Sequence, residues 1–292
     1  FAPCIGRLSG RPASADAVGM TPTASQLEQG QHLAFLLGAF RSGTTLVRKM
    51  LDSHPLVHSP AETWFLLPLV NLWEGVGTCP RYNPAQAAAA LKNHLSQAGF
   101  VECCRAFAGR FYHQTLPAGK EVYVDKTPMY LNIAGALPTM FPAARFIVLA
   151  RDPRGILWSR HTWRHADASS IASRIKGVAG DVRRLAGFVG AHRDRTVLIR
   201  YEDVCVNPER SMRAVCAHIG VAFDPCMIEY GRTDHHEGYG DENTRAHERP
   251  HAHSVARWGP ELTPQVEREL MDLCTSEALA VLGYGAQAQA AA

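Results

Sequence analysis

Short apolar runs alternate with longer segments of helical periodicity along most of this chain. Four of the runs, residues 32–37, 122–124, 145–150 and 196–199, are continuous rather than alternating in hydropathy. Continuous runs are typical of parallel strands that are covered on both faces, and the segments between them are long enough for crossover helices. The pattern therefore predicts an α/β fold in which a central parallel sheet is flanked by helices on both faces.

Apolar residues at intervals of three and four mark several helices of this fold. Capping signals indicate where they begin, at Ser169 or Ser170, at Asn207-Pro208 and at Thr263-Pro264. Side chains of this type accept a hydrogen bond from a free amide of the first turn, and proline suits the first helical position. Gly220 is expected to end the second of these helices, because glycine readily takes the left-handed conformation found there.

Only the two ends of the chain depart from this pattern. Residues 1–30 are rich in small and polar residues and lack periodicity, so we expect a flexible tail there and another at residues 286–292. With 292 residues, of which 46% are hydrophobic, the chain is long enough to bury a large core. We predict a single domain over residues 31–285, since that segment shows neither an internal repeat nor a second composition regime.

Composition excludes several classes of partner. The net charge of +3 and the absence of a basic run argue against nucleic-acid binding. No stretch approaches about 18 consecutive apolar residues, and no secretory signal is visible, so we expect no membrane contact and a cytoplasmic location. The eight cysteines include no C-x-x-C pair, and the histidine-rich segment 235–253 lacks regular ligand spacing. We therefore expect buried thiols, a solvated or substrate-facing histidine loop, and no metal site.

The segment after the first predicted strand carries the most chemical information. Residues 38–45 read G-A-F-R-S-G-T-T and lead into a helical pattern, which makes the predicted sheet one of the P-loop type. A phosphate loop of the form G-x-x-x-x-G-K-[ST] would have lysine at Thr44, and here the cation stands inside the loop at Arg41. Amides at a helix N-terminus hold phosphate or sulfate, so the expected anion-binding residues are Arg41, Ser42, Gly43, Thr44 and Thr45. The missing lysine indicates a nucleotide donor without a triphosphate.

Polar residues also follow the other predicted strands. They are Asp125-Lys126-Thr127-Pro128 after the second strand, Arg151-Asp152-Pro153-Arg154 after the third and Arg200-Tyr201-Glu202-Asp203 after the fourth. Ligands of parallel sheets lie beyond the carboxyl ends of the strands, so we expect these groups to meet. Asp152 can cap a helix on which Ser159 lies about two turns from the start. Arg151 and Ser159 are therefore candidates for holding a second, separate phosphate.

These two elements resemble the donor site of sulfotransferases that use 3′-phosphoadenosine 5′-phosphosulfate. Residues 41–45 resemble their 5′-phosphosulfate loop, and Arg151 with Ser159 resembles their 3′-phosphate site. Residues 200–203 are similar to the R-Y-E-D-L stretch of many members, and the resemblance covers about residues 32–284. It implies this donor, a reaction without a metal, and a place for Tyr201 at the donor site.

Within that superfamily the pattern is most similar to the tyrosylprotein sulfotransferases. Their R-S-G-T-T-L, L-D-A-H-P, E-E-T and N-K-D-P series are matched by residues 41–46, 51–55, 62–63 and 125–128. The resemblance implies that Glu62 is the general base, that Lys126 and Arg41 stabilise the transferring group, and that Ser254, ahead of Arg257-Trp258, lies near the sulfate. It also implies a tyrosine acceptor in a protein or peptide. Because no membrane anchor is visible in the sequence, we expect a bacterial-type cytosolic enzyme. The oligomeric state stays open, with a homodimer as one option.

Two departures from that pattern lie next to Glu62. Trp64 stands where the family has arginine, and Ala61 stands where it has glutamate. Both family residues belong to the segment around the base. Recognition of an acidic peptide around the tyrosine is therefore not supported by these positions.

The residue types support the chemistry without the resemblance. Sulfuryl transfer, like phosphoryl transfer, is expected to have a loose in-line transition state, in which the protein positions groups and neutralises charge. A phenol of pKa about 10 can give its proton to Glu62, while Lys126 meets the charge on the leaving oxygen. Glu202 and Asp203 are the rival bases, and the family pattern makes them structural.

Other functions stay open at this point. The acceptor could be a small hydroxyl compound such as an alcohol, sugar or lipid. A P-loop kinase is opposed by Thr44 and by the lack of a clear acidic strand end for Mg²⁺. A nucleotide-binding module without turnover is a further alternative. Glu62 could merely pair with a surface cation or cap a helix at Trp64, and residues 64–67 could belong either to an acceptor pocket or to the core.

Overall fold

The structure is a computed structural model of the chain, and the described residues are 21–163, 170–235, 247–255, 258–259 and 262–285. The tail predicted at residues 286–292 and most of the tail predicted at residues 1–30 lie outside these ranges. Ala24–Glu28 forms a helix, so the fold begins earlier than residue 31, where the pattern places it. Thr23 caps this helix and Leu27 is fully buried, but five residues are too few to show a periodic pattern.

One parallel sheet forms the centre of the molecule. Its strands are β1 Leu33–Gly38, β2 Val57–His58, β3 Val122–Asp125, β4 Arg145–Ala150 and β5 Thr196–Arg200. They are hydrogen-bonded in the order β2-β3-β1-β4-β5. The predicted α/β fold and its four strands are confirmed. The edge strand β2 is not part of the prediction, because two residues cannot show an apolar run.

Helices connect the strands. They are α1 Ala24–Glu28, α2 Thr44–Asp52, α3 Leu66–Glu74, α4 Pro84–Lys92, α5 Gln97–Thr115, α6 Leu137–Met140, α7 Pro153–His161, α8 Ile171–Ala191, α9 Tyr201–Val206, α10 Pro208–Ile219, α11 Pro264–Cys274 and α12 Ser276–Val281. The predicted capping residues Ser170, Asn207 and Thr263 all accept an amide hydrogen bond, and Gly220 ends α10 in the left-handed conformation. No helix of the described ranges has both the length and the hydropathy needed to cross a membrane.

The two faces of the sheet carry separate apolar cores. Along β1, Leu33, Phe35 and Leu37 belong to one core, while Ala34 and Leu36 belong to the other. The first core contains the buried sides of α5, α8 and α11, and the second contains those of α2, α9 and α10. Helices therefore cover both faces, which explains why the strands lack the polar alternation of a half-exposed sheet.

The carboxyl ends of the strands lie along one edge of the sheet. Phe35 of the central strand β1 lies opposite Asp125 of β3 on one side and Phe146 of β4 on the other. Because all the pairings are parallel, the segments that follow β1, β3, β4 and β5 meet at this edge. Ligands of open parallel sheets bind there.

Candidate active site

The loop after β1 has the geometry of an anion cradle. Gly38 ends the strand, Gly43 takes a φ of +99°, and Thr44 and Thr45 are buried in the first turn of α2. Ser42 is fully buried, and its hydroxyl has no hydrogen-bond partner among the described residues. A buried hydroxyl without a partner is costly, so an oxygen of a bound anion would satisfy it. Together with the positive end of α2, this arrangement fits a phosphate or sulfate group.

Tyr201, the first residue of α9, supports this loop. A Cβ at Gly43 would lie 2.4 Å from Cδ2 of the Tyr201 ring, well inside van der Waals contact. The same ring is covered by Arg151, whose Cζ lies 4.3 Å from the ring centre. The attraction between guanidinium and ring holds this cation where β4 ends. One aromatic ring therefore joins the loop after β1 to the arginine after β4.

Arg41 joins the two anion sites that the sequence predicts as separate. The Nε of Arg41 donates to Oγ of Ser159 at 3.1 Å. Nη1 of Arg151 donates to the carbonyl oxygen of Arg41 at 2.9 Å. Asp152 caps α7, as predicted, and places Ser159 on that helix. The predicted second phosphate site therefore borders directly on the first.

Glu62 and Lys126 form a buried ion pair where β3 ends. Nζ of Lys126 lies 2.7 Å from Oε1 of Glu62, and the two side chains are 0% and 10% exposed. Burial lowers the pKa of Lys126, and the neighbouring carboxylate opposes this shift. Nε1 of Trp64 donates to the other carboxylate oxygen, Oε2, at 3.1 Å. Glu62 therefore pairs with a buried cation rather than a surface one, and it caps no helix, since α3 has no side-chain cap.

Asp125 anchors the segment that carries Glu62. Its carboxylate is fully buried and accepts hydrogen bonds from the hydroxyls of Tyr112, at 2.9 Å, and Thr63, at 2.9 Å to one oxygen and 3.0 Å to the other. The Thr63 hydroxyl also lies 2.7 Å from that of Tyr130. Burial raises the pKa of Asp125 to about 6, although these hydrogen bonds act in the opposite direction. Because Thr63 follows Glu62 in the chain, this network fixes the position of the carboxylate next to Lys126.

Sequence reasoning missed the two tyrosines of this network. Tyr112 lies on α5 and Tyr130 lies on the 3₁₀ helix Pro128–Ala136. Only the tertiary structure brings them to Asp125. The one available signal is the position of Tyr130 two residues beyond the matched segment 125–128.

The buried charge of Asp125 makes the stability of the fold depend on pH. A pKa raised from 3.8 to about 6 means that the folded chain binds a proton more readily than the unfolded chain. The resulting stabilisation is fully present below about pH 4 and is lost as the pH rises through about 6. We expect the melting temperature of the wild type, relative to Asp125→Asn, to fall across this window and then to stay level.

The matched control is Asp272→Asn, which changes an exposed carboxylate of α11. The melting temperature of the wild type relative to Asp272→Asn should not fall across the same pH window. Thermal unfolding in buffers of equal ionic strength measures both differences. A difference for Asp125→Asn that does not change with pH would contradict the assignment of a raised pKa.

The motif at residues 51–55 holds the turn between α2 and β2. Asp52 accepts a hydrogen bond from Nδ1 of His235 at 2.9 Å, and Nε2 of His54 lies 2.7 Å from the carbonyl oxygen of Ala222. These contacts fasten residues 222–235 to α2. The matched motif therefore links α2 and the turn after it to a segment distant in the chain.

The histidine-rich segment is described in part, since residues 236–246 lie outside the described ranges. The His251 ring contacts the rings of His247 and His253, with centroid distances of 4.0 and 5.1 Å. Within the described ranges, no group of histidine, cysteine and carboxylate side chains has the arrangement of a metal site.

Two further candidates differ in how far the structure describes them. Ser254 ends the 3₁₀ helix Ala252–Ser254, which contacts α9, and its place near the sulfate stays a prediction. Arg257 lies outside the described ranges. Glu202 accepts hydrogen bonds from the Asp152 amide at 3.0 Å and the Tyr284 hydroxyl at 2.5 Å. These contacts hold the Glu202 carboxylate next to the start of α7, and its structural role stays a prediction.

Related proteins cover most of the chain. A family profile described as the sulfotransferase family matches residues 34–225. The nodulation protein NoeE of Sinorhizobium fredii is 30% identical in a match that covers 86% of this chain and 66% of NoeE. The protein-tyrosine sulfotransferase of Drosophila melanogaster is 23% identical in a match that covers 86% of this chain and 51% of that protein. The chain therefore spans between about half and two thirds of the length of these curated relatives.

Solved structures share the fold. The sulfotransferase domain from the curacin biosynthetic pathway has a TM-score of 0.57 at 20% identity, over 82% of this chain and 96% of that domain. The sulfotransferase domain from the Synechococcus PCC 7002 olefin synthase has a TM-score of 0.55 at 22% identity, over 83% of this chain and 92% of that domain. Both domains support the α/β architecture described above.

Proposed function

The chain belongs to the sulfotransferase family, and from this premise we propose that it moves the sulfuryl group of 3′-phosphoadenosine 5′-phosphosulfate to a hydroxyl, preferably that of a tyrosine in a protein or peptide. The observation that carries the proposal is the buried pair of Glu62 and Lys126 at the end of β3. β3 is the neighbour of β1, whose loop forms the anion cradle. A base for the hydroxyl and a cation for the leaving group therefore lie beside a site for the donor.

The two anionic ends of this donor match the two polar sites. Residues 42–45 would hold the phosphosulfate with the first turn of α2 and the unpartnered Ser42 hydroxyl, and Arg41 adds a positive charge. Arg151 and Ser159 would hold the 3′-phosphate. Tyr201 supports both sites, because its ring contacts the loop and the Arg151 guanidinium.

The proposed step is a single in-line displacement. A bond forms between the acceptor oxygen and sulfur as the bond from sulfur to the bridging phosphate oxygen breaks, and the acceptor proton passes to Glu62. The negative charge that Glu62 loses is the charge that neutralises Lys126 at 2.7 Å. As the proton arrives, the Lys126 ammonium is therefore free to stabilise the new charge on the departing phosphate. The pair thus couples deprotonation of the acceptor to departure of the leaving group.

A small alcohol, a sugar or a lipid is the second candidate class of acceptor. Trp64 and Ala61 stand where the tyrosylprotein enzymes have arginine and glutamate. In addition, the identity to NoeE, which is described as a nodulation protein and not as a protein-tyrosine sulfotransferase, is 30% and exceeds the 23% identity to the Drosophila tyrosine enzyme. Transfer of labelled sulfate to a panel of tyrosine peptides, small phenols, alcohols and sugars separates the two classes.

Binding of adenosine 3′,5′-bisphosphate, the product form of the donor, tests the proposed function directly. We expect the bisphosphate at about 100 times its dissociation constant to raise the free energy of unfolding by about 2.7 kcal/mol, and ATP with Mg²⁺ to have a smaller effect. Thermal shift and calorimetry measure both. Stabilisation by ATP with Mg²⁺ and none by the bisphosphate would point to a kinase instead, and binding without any sulfate transfer would point to a non-catalytic module.

The Arg151→Ala variant assigns the 3′-phosphate contact in the same assay. It should weaken binding of the bisphosphate and leave binding of adenosine 5′-monophosphate, which lacks that phosphate, nearly unchanged. Arg213→Ala is the control, because this side chain is 59% exposed on α10 and pairs with Glu209. An equal loss of affinity for both nucleotides would show that Arg151 does not contact the 3′-phosphate specifically.

A further inference from the structure

We propose that Trp64 selects the acceptor. Its indole would be the surface on which a ring carrying the acceptor hydroxyl stacks, and its N–H would hold Glu62 in position for that hydroxyl. The inference rests on the proposed function, since it names the class of acceptor, a hydroxyl borne on a ring. It assigns to Trp64 a positioning role toward Glu62 and a binding role toward the acceptor.

The backbone of Trp64 is held in an unfavourable conformation. Its φ is +59°, in the left-handed region that bulky side chains rarely adopt. The carbonyl oxygen of Trp64 accepts from the Leu67 amide at 3.2 Å, and its own amide donates to Oγ1 of Thr127 at 3.4 Å. On the other side, Thr63 is tied to the buried Asp125. Conformations of this kind persist where the surroundings fix them, and they cluster at functional sites.

The exposure of Trp64 distinguishes it from its neighbours. The residue is 41% exposed, whereas Lys126 is 1% exposed and Leu66 is fully buried. Phe65 turns the other way, and its ring packs 4.2 Å from that of Phe111. The sequence allows residues 64–67 to belong either to the core or to an acceptor pocket. Phe65 fits the core, and Trp64 fits a pocket. Trp64 is therefore a partly exposed aromatic residue that is hydrogen-bonded to the reactive pair.

The two oxygens of Glu62 have different partners, and this decides where an acceptor can approach. Oε1 faces the fully buried Lys126 ammonium, and Oε2 accepts the Trp64 indole N–H at 3.1 Å. Lys126 is 1% exposed and Trp64 is 41% exposed, so we expect an acceptor hydroxyl to approach on the side of Oε2. A phenol or a pyranose stacked on the indole would bring a ring hydroxyl to that oxygen, because an aromatic surface can pack against the face of a phenol and against the C–H face of a pyranose.

Two variants separate the ring of Trp64 from its N–H. Trp64→Gly removes the ring and suits the left-handed backbone, so it preserves the local conformation. Trp64→Phe keeps a ring and removes the N–H donor. Tyr82→Gly is the matched control, because this aromatic residue is 56% exposed in the turn before α4. The ligands are a tyrosine peptide, a methyl pyranoside and an acyclic alcohol with six carbons, each tested with bound adenosine 3′,5′-bisphosphate by calorimetry and with the sulfated donor for transfer.

We expect Trp64→Gly to weaken binding of at least one ring ligand by about tenfold or more, with little change for the acyclic alcohol. Trp64→Phe should retain most of the ring affinity and lower kcat while KM changes little, because the Glu62 carboxylate loses the indole N–H that holds its Oε2 in place. Tyr82→Gly should resemble the wild type in both assays. Comparison of the tyrosine peptide with the methyl pyranoside shows whether the acceptor ring is a phenol or a sugar.

The binding measurement keeps this inference separate from the proposed function. If the wild type transfers no sulfate but binds a ring ligand in a manner that depends on Trp64, the proposed function fails and the binding role stands. If ring ligands bind equally well to the wild type and Trp64→Gly, or if none binds to the wild type, the inference is overturned even where transfer occurs. An unchanged kcat in Trp64→Phe would remove the positioning role.

Discussion

Replacing Glu62 with glutamine is expected to lower kcat by about 10²-fold to 10⁴-fold and to leave the affinity for adenosine 3′,5′-bisphosphate nearly unchanged. This is the range associated with loss of a positioned general base. Glutamine has almost the same shape, so its carbonyl oxygen can still accept from Lys126. It cannot take a proton from an acceptor hydroxyl at neutral pH. The measurement is sulfate transfer to the most active acceptor of the panel, with donor affinity determined separately.

The variant also removes a buried negative charge, which must be considered in the measurement. Lys126 is fully buried, and an ammonium left without its carboxylate is destabilising or loses its proton. A fall in melting temperature is therefore expected with Glu62→Gln, and rates must be compared at a temperature where both proteins are folded. Glu202→Gln is the control for the rival base, since that carboxylate is held by Asp152 and Tyr284. Full turnover in Glu62→Gln together with lost turnover in Glu202→Gln would transfer the role of base to Glu202.

The sequence predicts the parts of this molecule in which local pattern and tertiary structure agree. The strand leading to Gly38 and the cap at Asp152 are both set by residues close together in the chain. Both are confirmed in the structure. The clustering of groups after the strands also follows from sequence, because parallel strands bring their carboxyl ends to one edge.

Features that depend on contacts distant in the chain are not predictable in the same way. Tyr112 and Thr63 meet at Asp125 only after α5 packs on the sheet. No spacing of residues in the sequence predicts this contact. Trp64 is a substitution at a matched position in the sequence, but its left-handed backbone and its bond to Glu62 require the fold around it. The sequence therefore indicates which residues are candidates for the chemistry, and the structure shows which contacts hold them.

Replacing Gly43 with alanine is expected to lower the affinity for adenosine 3′,5′-bisphosphate by about 100-fold or more. Two effects combine at this residue. A φ of +99° lies outside the region that alanine tolerates without strain. The added Cβ would also lie 2.4 and 2.6 Å from two atoms of the Tyr201 ring, so the ring or the loop must move. Movement of the ring displaces Arg151, whose guanidinium covers it, and thus one methyl group disturbs both proposed anion sites.

Gly187→Ala is the matched control for this substitution. Gly187 lies within α8, and a Cβ added there meets no atom within 4 Å. Alanine is preferred to glycine in a helix by about 1 kcal/mol, so the control should be as stable as the wild type or more stable, with unchanged affinity. Calorimetry well below the melting temperature of each variant separates loss of binding from loss of folding.

The double variant Gly43→Ala with Tyr201→Ser identifies which of the two effects limits binding. Removing the ring relieves the contact with the new Cβ, so part of the lost melting temperature should return. The bisphosphate affinity should stay low, because Arg151 has lost the ring that positions it and the strain at residue 43 persists. Recovery of affinity along with stability would show that the ring contact alone disturbs the loop. Wild-type affinity in a folded Gly43→Ala variant would instead exclude residues 42–45 as the donor site, whatever the stability of that variant.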